Sequence, residues 1–277
     1  MAVTFCDNVH CHINGSGILA QNASILQDNS LVPAYAIGKF QAINQVPNGP
    51  IKSAFAFNYY PIVTKEPSYE ILNTLRRLSD DLVYSGTTIE IAGVTGYNCY
   101  LSSYGLQASP NGLVNANVTY DTFVPLSGQI TTKTGTSDLY NPFDKIPHGW
   151  TTYVSSSGNR LIAPTYGFSY NFKANWEPIY ILGQKSPYEV HLMNGVEEMS
   201  FIRDSFTHIQ FSGEEVTGTF ITGDWNVELF NYQLVAWQTA GSGALSFDIS
   251  GAKIVSTRLV ADVGDWIKTQ VNISQYY

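Results

Sequence analysis

Hydrophobic and polar residues alternate with a period of two along much of the chain. Ile51, Phe55, Phe57 and Tyr59 share one parity, with Lys52, Ala56 and Asn58 on the other. That alternation predicts a strand with one buried face. Asn48-Gly49 just ahead of it predicts a hairpin turn, because both residues tolerate positive φ. Pro110-Asn111-Gly112 separates LSSYGLQAS from LVNANVTYDTF and predicts an antiparallel hairpin. Val227–Trp237 and Leu245–Ile249 also read as strands. One stretch has a helical period instead. Over Pro67–Leu82, residues Ile71, Leu72, Leu75, Leu78 and Leu82 form one stripe, and the proline suits a first turn. Asp80 and Asp81 stand unfavourably near the negative end of that helix.

The pattern repeats within the chain. Ser24–Lys39 (SILQDNSLVPAYAIGK) aligns without a gap on Ser169–Gln184 (SYNFKANWEPIYILGQ), at an offset of 145. Ser24, Pro33, Tyr35 and Gly38 fall on Ser169, Pro178, Tyr180 and Gly183. Asn48-Gly49 then falls on Asn194-Gly195, and Phe55 on Phe201. Ile89–Gly93 meets Phe247–Gly251, Leu101 meets Val255, and Asn117 meets Asn272. Each block is weak alone, but their common order in both halves reads as a duplication. The expected organisation is an N-terminal arm at 1–11, a β domain at 12–127, a linker at 128–160 and a second β domain at 161–277. The linker is rich in Ser, Thr, Gly and Asn, with Trp150 and Tyr153 as expected packing anchors. The expected fold is mainly β: two tandem barrel or sandwich domains of like topology, with one flanking helix in the first.

Composition narrows the function. Apolar residues make up 44% of the 277, enough for a core, and charged residues only 13%, which excludes a disordered chain. A net charge of −8 disfavours gripping nucleic acid or an anionic membrane. No stretch approaches the roughly 20 apolar residues of a membrane span. The start, MAVTFCDNVHCHING, has neither a basic nor an apolar leader region, so a reducing cytosol is expected before assembly. Three cysteines, Cys6, Cys11 and Cys99, imply no disulfide framework.

Candidate chemistry is sparse. Cys6, His10, Cys11 and His12 are zinc-ligand types, but neighbours on an extended strand point to opposite faces. The histidines, His10, His12, His148, His191 and His208, stand near no nucleophile-elbow motif. No phosphate-binding glycine loop and no calcium loop occurs. Glu197-Glu198 and Glu214-Glu215 could join Asp204 or Asp224 as a glycosidase pair. Adjacent acids on a strand also mark a solvated edge. Trp225, between Asp224 and Asn226, could serve a carbohydrate-binding module, although core packing accounts for aromatics as well. N-x-[ST] triplets at Asn22, Asn117 and Asn272 carry no glycosylation argument without a secretion signal. No enzyme activity, metal or cofactor is expected.

One order of features stands out: a strand, a polar loop, P-x-Y-x-[IL]-G, an N-G-x turn and an S-x-F-x-F strand. A helix and a hairpin of the YLSSYGLQASPNGLVNANVTY kind follow. This resembles the tail tube proteins of tailed bacteriophages over nearly the whole chain, twice. The resemblance implies small β-barrels or sandwiches with a flanking helix, polymerising as stacked rings. It also implies tandem domains in trimeric rings of pseudo-sixfold symmetry, with DNA in transit through the lumen. Partners would be copies of the chain, other tail proteins and a tape measure, in the virion. The second half departs from the pattern in lacking the helix signal. Other virion ring or decoration proteins, such as a head–tail connector or baseplate part, fit the same features. A net negative lumen is expected if acids face it.

Overall fold

The structure is a computed structural model. It describes residues 10–28, 31–38, 40–42, 44–47, 49–62, 66–77, 84–110, 112–130, 147–156, 159–160, 165–204, 222–231, 245–260 and 268–276. The first half contains β1 (Cys11–Ile13), β2 (Ser16–Gly17), β3 (Leu19–Asp28), β4 (Leu31–Ala34), β5 (Asn44–Pro47) and β6 (Lys52–Tyr60). Helix α1 (Pro67–Arg76) follows, then β7 (Thr87–Ile91), β8 (Val94–Ala108), β9 (Asn115–Thr122) and β10 (Ser127–Gly128). The second half contains β11 (Pro147–Ser156), β12 (Asn159–Arg160), β13 (Thr165–Ile179) and β14 (Glu189–Asp204). It ends with β15 (Thr222–Asn231), β16 (Leu245–Val260) and β17 (Lys268–Tyr276). Of β11, β12 and β15 only the backbone is described.

The chain is mainly β, as its alternation predicts. β6 buries Ser53, Phe55, Phe57 and Tyr59 on one face, and β8 and β9 form the expected hairpin. Gly112 closes it, its N–H donating to the Ser109 carbonyl at 3.2 Å. Of the expected turn at Asn48-Gly49, Asn48 lies outside the described residues. Gly49 lies between β5 and β6, and a reversal joins β4 to β5 around Gly38. The expected linker, 128–160, carries β11 and β12.

Among the described residues the sheet does not close into two barrels. Fifteen strands make one antiparallel sheet that does not close, and β4 and β5 form a separate pair. The halves join where β8 hands over between partners. Its residues 94–99 pair with β7, and residues 103–108 pair with 168–173 of β13.

Within that sheet one pairing scheme occurs twice. In the first half β1 pairs with β2 and β7, β7 with β8, β8 with β9, β9 with β6, and β6 with β3. In the second, β11 pairs with β12 and β15, β15 with β16, β16 with β17, β17 with β14, and β14 with β13. Register shifts recur at matching places too. Those at Ala20/Asn22, Thr87/Ile89 and Leu101/Ser103 correspond to Thr165/Gly167, Gly223/Trp225 and Ile254/Ser256. Bulges bend a strand at a defined point, so matching bulges give matching curvature.

The register also corrects part of the expected correspondence. With Ser24 on Ser169, Phe55 matches Met199 and Phe57 matches Phe201. Ile89, opposite Gly96, matches Trp225, opposite Ile249. Thr119, opposite Ser103, matches Asn272, opposite Ser256. Parity recurs every two residues, so a slip of two leaves the pattern unchanged.

Both halves share one core. It runs from Phe55, Tyr104 and Tyr120 to Tyr170, Phe201 and Phe247. Helix α1 covers it. Ten residues are marginal as an isolated helix, so packing must hold this one. Ile71, Leu72 and Leu75 are buried; Leu78 and Leu82 of the expected stripe lie outside the described residues. Tyr69 packs tilted against Phe247, which comes from the far half of the sheet, with ring centroids 4.3 Å apart. Arg76 reaches across to Glu197 of β14, with Nε–Oε1 at 2.6 Å and Nη2–Oε2 at 2.7 Å. Its Nη2 also donates to the Tyr170 hydroxyl at 3.1 Å. The helix of the first half therefore flanks the second half as well.

Glu197 is fully buried, so its charge depends on Arg76. Arg76→Met is expected to destabilise the fold by roughly 3 kcal/mol in urea unfolding, because it strands a buried carboxylate. The double variant Arg76→Met/Glu197→Met should recover most of that loss. A double variant no more stable than the single one would show that the pair holds the helix in some other way.

Candidate functional site

Three features stand apart from ordinary core packing: two exposed apolar arms, a polar sheet face, and a buried polar cluster beneath α1.

The arms carry the repeated motif. Pro33 lies in β4 opposite Gln45, and Pro178 lies in β13 opposite Val190. Gly38 and Gly183 sit at the tips with φ of 83° and 85°, which an L side chain adopts only with strain. No atom crowds either position, so the demand for glycine is conformational. Tyr188 N–H donates to the Ile179 carbonyl at 2.8 Å and steadies the second tip. Both tips expose apolar side chains beside polar ones, Gln41 on the first and Gln184 and Lys185 on the second. Ile37 and Phe40 on one, and Leu182 on the other, are fully exposed. Tyr35, Ile181, Tyr188 and Met193 are exposed as well. Tyr180 is half-buried and its hydroxyl lacks a hydrogen-bond partner among the described residues. Grouped exposed apolar side chains of this kind mark interaction surfaces.

The sheet face away from the core is paved with amides and hydroxyls. One row of directly opposed residues crosses eight strands: Asn22, Asn58, Asn117, Gly105, Asn171, Glu198, Ser274 and Lys253. Gly105 has a role in it, since a Cβ there would lie 3.1 Å from Asn171 Oδ1. The next row reads Asn115, Gln107, Ser169, Ser200, Asn272 and Ser256. Asn272 Nδ2 donates to Ser256 Oγ at 2.7 Å, and Gln270 Nε2 to Ser200 Oγ at 3.1 Å. An open depression of about 390 Å³ on this face is lined by uncharged groups, among them Gln107, Asn115 and Gln270. None of these groups is a nucleophile poised beside a base.

The buried cluster joins β6, β9 and α1. The Tyr120 hydroxyl donates to Ser68 Oγ at 3.0 Å, Ser68 and Tyr59 share a bond of 2.8 Å, and Tyr59 bonds the Glu66 carboxyl. Glu66 is 3% exposed at the start of the helix. Burial pushes its carboxyl up to about 8, against the opposing pull of the Tyr59 hydroxyl and the Ser68 N–H. Burial likewise holds the Tyr59, Tyr104 and Tyr120 phenols well above their ordinary range. A general acid must reach its substrate, and this cluster is sealed under the helix. What it can do is fix the helix start to the sheet.

The remaining candidates are dispersed. Cys11 and Cys99 are free and buried, and burial raises the thiol of Cys11 to about 11 and of Cys99 to about 12. Cys6 lies outside the described residues. His12 and Cys11 point to opposite sides of β1, and His12 lies 4.0 Å from Glu90. No group of metal-binding side chains forms among the described residues. Glu197 points into the core while Glu198 points out, so the two are not a catalytic pair. Glu197 shares its parity with Met199 and Phe201, the signal that marks it as inward-facing. Glu214 and Glu215 lie outside the described residues, and Trp150 and Tyr153 lie in the backbone of β11. Among the described residues no helix is long and apolar enough to cross a membrane. No protein-family model matches the chain, and no curated protein matches it significantly.

The cluster predicts a pH dependence. Glu66 is raised above its ordinary 4.5, so its contribution to stability is complete below about 4.5 and is lost as pH rises through about 8. The loss amounts to a few kcal/mol at most. Glu66→Gln keeps an acceptor for Tyr59 but cannot ionise. Between pH 5 and pH 9 the wild-type melting temperature should fall further than that of the variant, by on the order of 5 °C. Parallel curves for the two proteins would remove Glu66 as the cause.

Proposed function

We propose that this protein is a self-assembling structural subunit of a virion, forming the tube of a phage tail from stacked rings. One observation carries the reading. A single strand-pairing scheme, bulges included, occurs twice, and each copy extends an arm tipped with exposed apolar residues. Duplicated pairing supports a tandem protein whose trimer presents six similar units. The arms suit contacts between successive rings, because their apolar tips gain by leaving water.

The amide face suits the lining of a bore for DNA. It spans both halves, and its charges are of both signs. Asp28, Asp121 and Glu198 accompany Lys52, Lys173, Lys253 and Arg258, with Asp28 opposite Lys52 and Lys52 paired with Asp121 at 3.1 Å. On this reading the lining is close to neutral, whereas composition alone points to a net negative one. Neutral amides offer phosphates none of the counterion-releasing grip of a basic surface. The tape measure and other tail proteins would be further partners. A head–tail connector or another virion ring protein is the second reading, favoured if rings form without stacking.

Negative-stain electron microscopy of the purified protein should show tubes, or rings that stack, with a bore wide enough for duplex DNA. Ile37→Asp/Leu182→Asp should leave the circular dichroism and melting temperature close to wild type and abolish tubes. Wild-type-like tubes from that variant would rule out the arms as stacking contacts. A wild-type protein that stays monomeric would overturn the tube reading itself.

A further inference from the structure

Among the described residues β6 is the one strand that pairs with β3, a ten-residue strand at the edge of the described sheet. Ser24, Leu26 and Asp28 along it are exposed, Leu26 by 66%. Such an edge is a template for another strand unless something covers it. The chain contains an interior version of this edge. The matching strand β13 presents residues 168–173 to residues 103–108 of β8. β8 in turn matches β16. Pairing of β16 with β15 ends at Lys253, and beyond it residues 254–260 have no second strand partner among the described residues. Each chain thus displays the two halves of one junction at opposite ends of the repeat.

We infer that copies of this chain join head to tail, the outer edge of β3 in one copy pairing antiparallel with residues 256–260 of β16 in the next. The interior junction sets the register. Asn171 opposite Gly105 translates to Leu26 opposite Arg258. Ser169 opposite Gln107 becomes Ser24 opposite Val260, and Lys173 opposite Ser103 becomes Asp28 opposite Ser256. Asp28 then lies diagonal to Arg258, an opposite-charge pair of exposed side chains. A heterologous contact of this kind closes into a ring when its rotation allows. Here it repeats the junction already built into the chain, so every junction between or within copies would share one register. The partner is a second copy of this chain. The inference rests on the repeated register and not on the virion reading.

Cysteine pairing tests it in a Cys6→Ser background. Leu26→Cys/Arg258→Cys should give covalent oligomers under mild oxidation, and mixing the two single variants should give covalent dimers. Ser24→Cys/Val260→Cys should do the same. Leu26→Cys/Val255→Cys, three residues out of register, should cross-link at least ten-fold less. Equal cross-linking of in-register and out-of-register pairs would overturn the inference. So would a lack of cross-links in samples that sedimentation shows to be oligomeric, or a chain that is monomeric at every concentration tested. Cross-linked rings that never stack would support the edge pairing and count against the tail tube.

Discussion

The backbone pairing of residues 103–108 with 168–173 is the constraint on which the rest of the molecule depends. It merges the two halves into one sheet and sets which residues of the second half face the helix. Because side chains alternate, a slip of one residue would turn Tyr170 outward and Asn171 inward. Arg76 would lose its Tyr170 contact, and Glu197, registered through β13, would turn to the opposite face. Gly105 opposite Asn171 helps hold the register, since the amide lies over the space a side chain would fill.

A second consequence follows from this merger. Each half alone would need its own cover, but α1 serves both. Phe247 lies deep in the second half and still packs against Tyr69, Tyr104 and Tyr170. The hydrophobic contact and the Arg76–Glu197 pair act at the two ends of the helix face, while the Glu66 cluster ties down its start. The helix is too short to persist by itself, and these three contacts supply what propensity does not.

Much of the local structure was legible in the sequence. β6, the start of α1 and the β8–β9 hairpin were readable because their signals sit within a few neighbouring residues. The first repeat block, Ser24 on Ser169, was readable because Pro33 and Gly38 have specific backbone roles that fix the alignment. The later blocks rested on hydrophobic parity, which cannot distinguish a register from one two residues away. β11 and β12 escaped notice because Ser, Thr and Gly resemble loop chemistry, although Tyr153 pairs with Glu228 in the sheet. The junction between halves has no local signal at all, since its partners lie far apart in the chain. The inward turn of Glu197 was readable from its parity with Met199 and Phe201; the burial of Glu66 ahead of the helix was not.

The two arms, alike in motif, differ in their mechanical connection to the body. The second is an uninterrupted extension of β13 and β14, with one register shift at Asn175/Trp176. Among the described residues the first is a two-stranded ribbon that shares no strand pairing with the main sheet. A load applied at Leu182 passes along continuous strands to the residues that flank the central junction. That arm therefore behaves as a lever rigid with the sheet, and a displacement at its tip is felt where the two halves join.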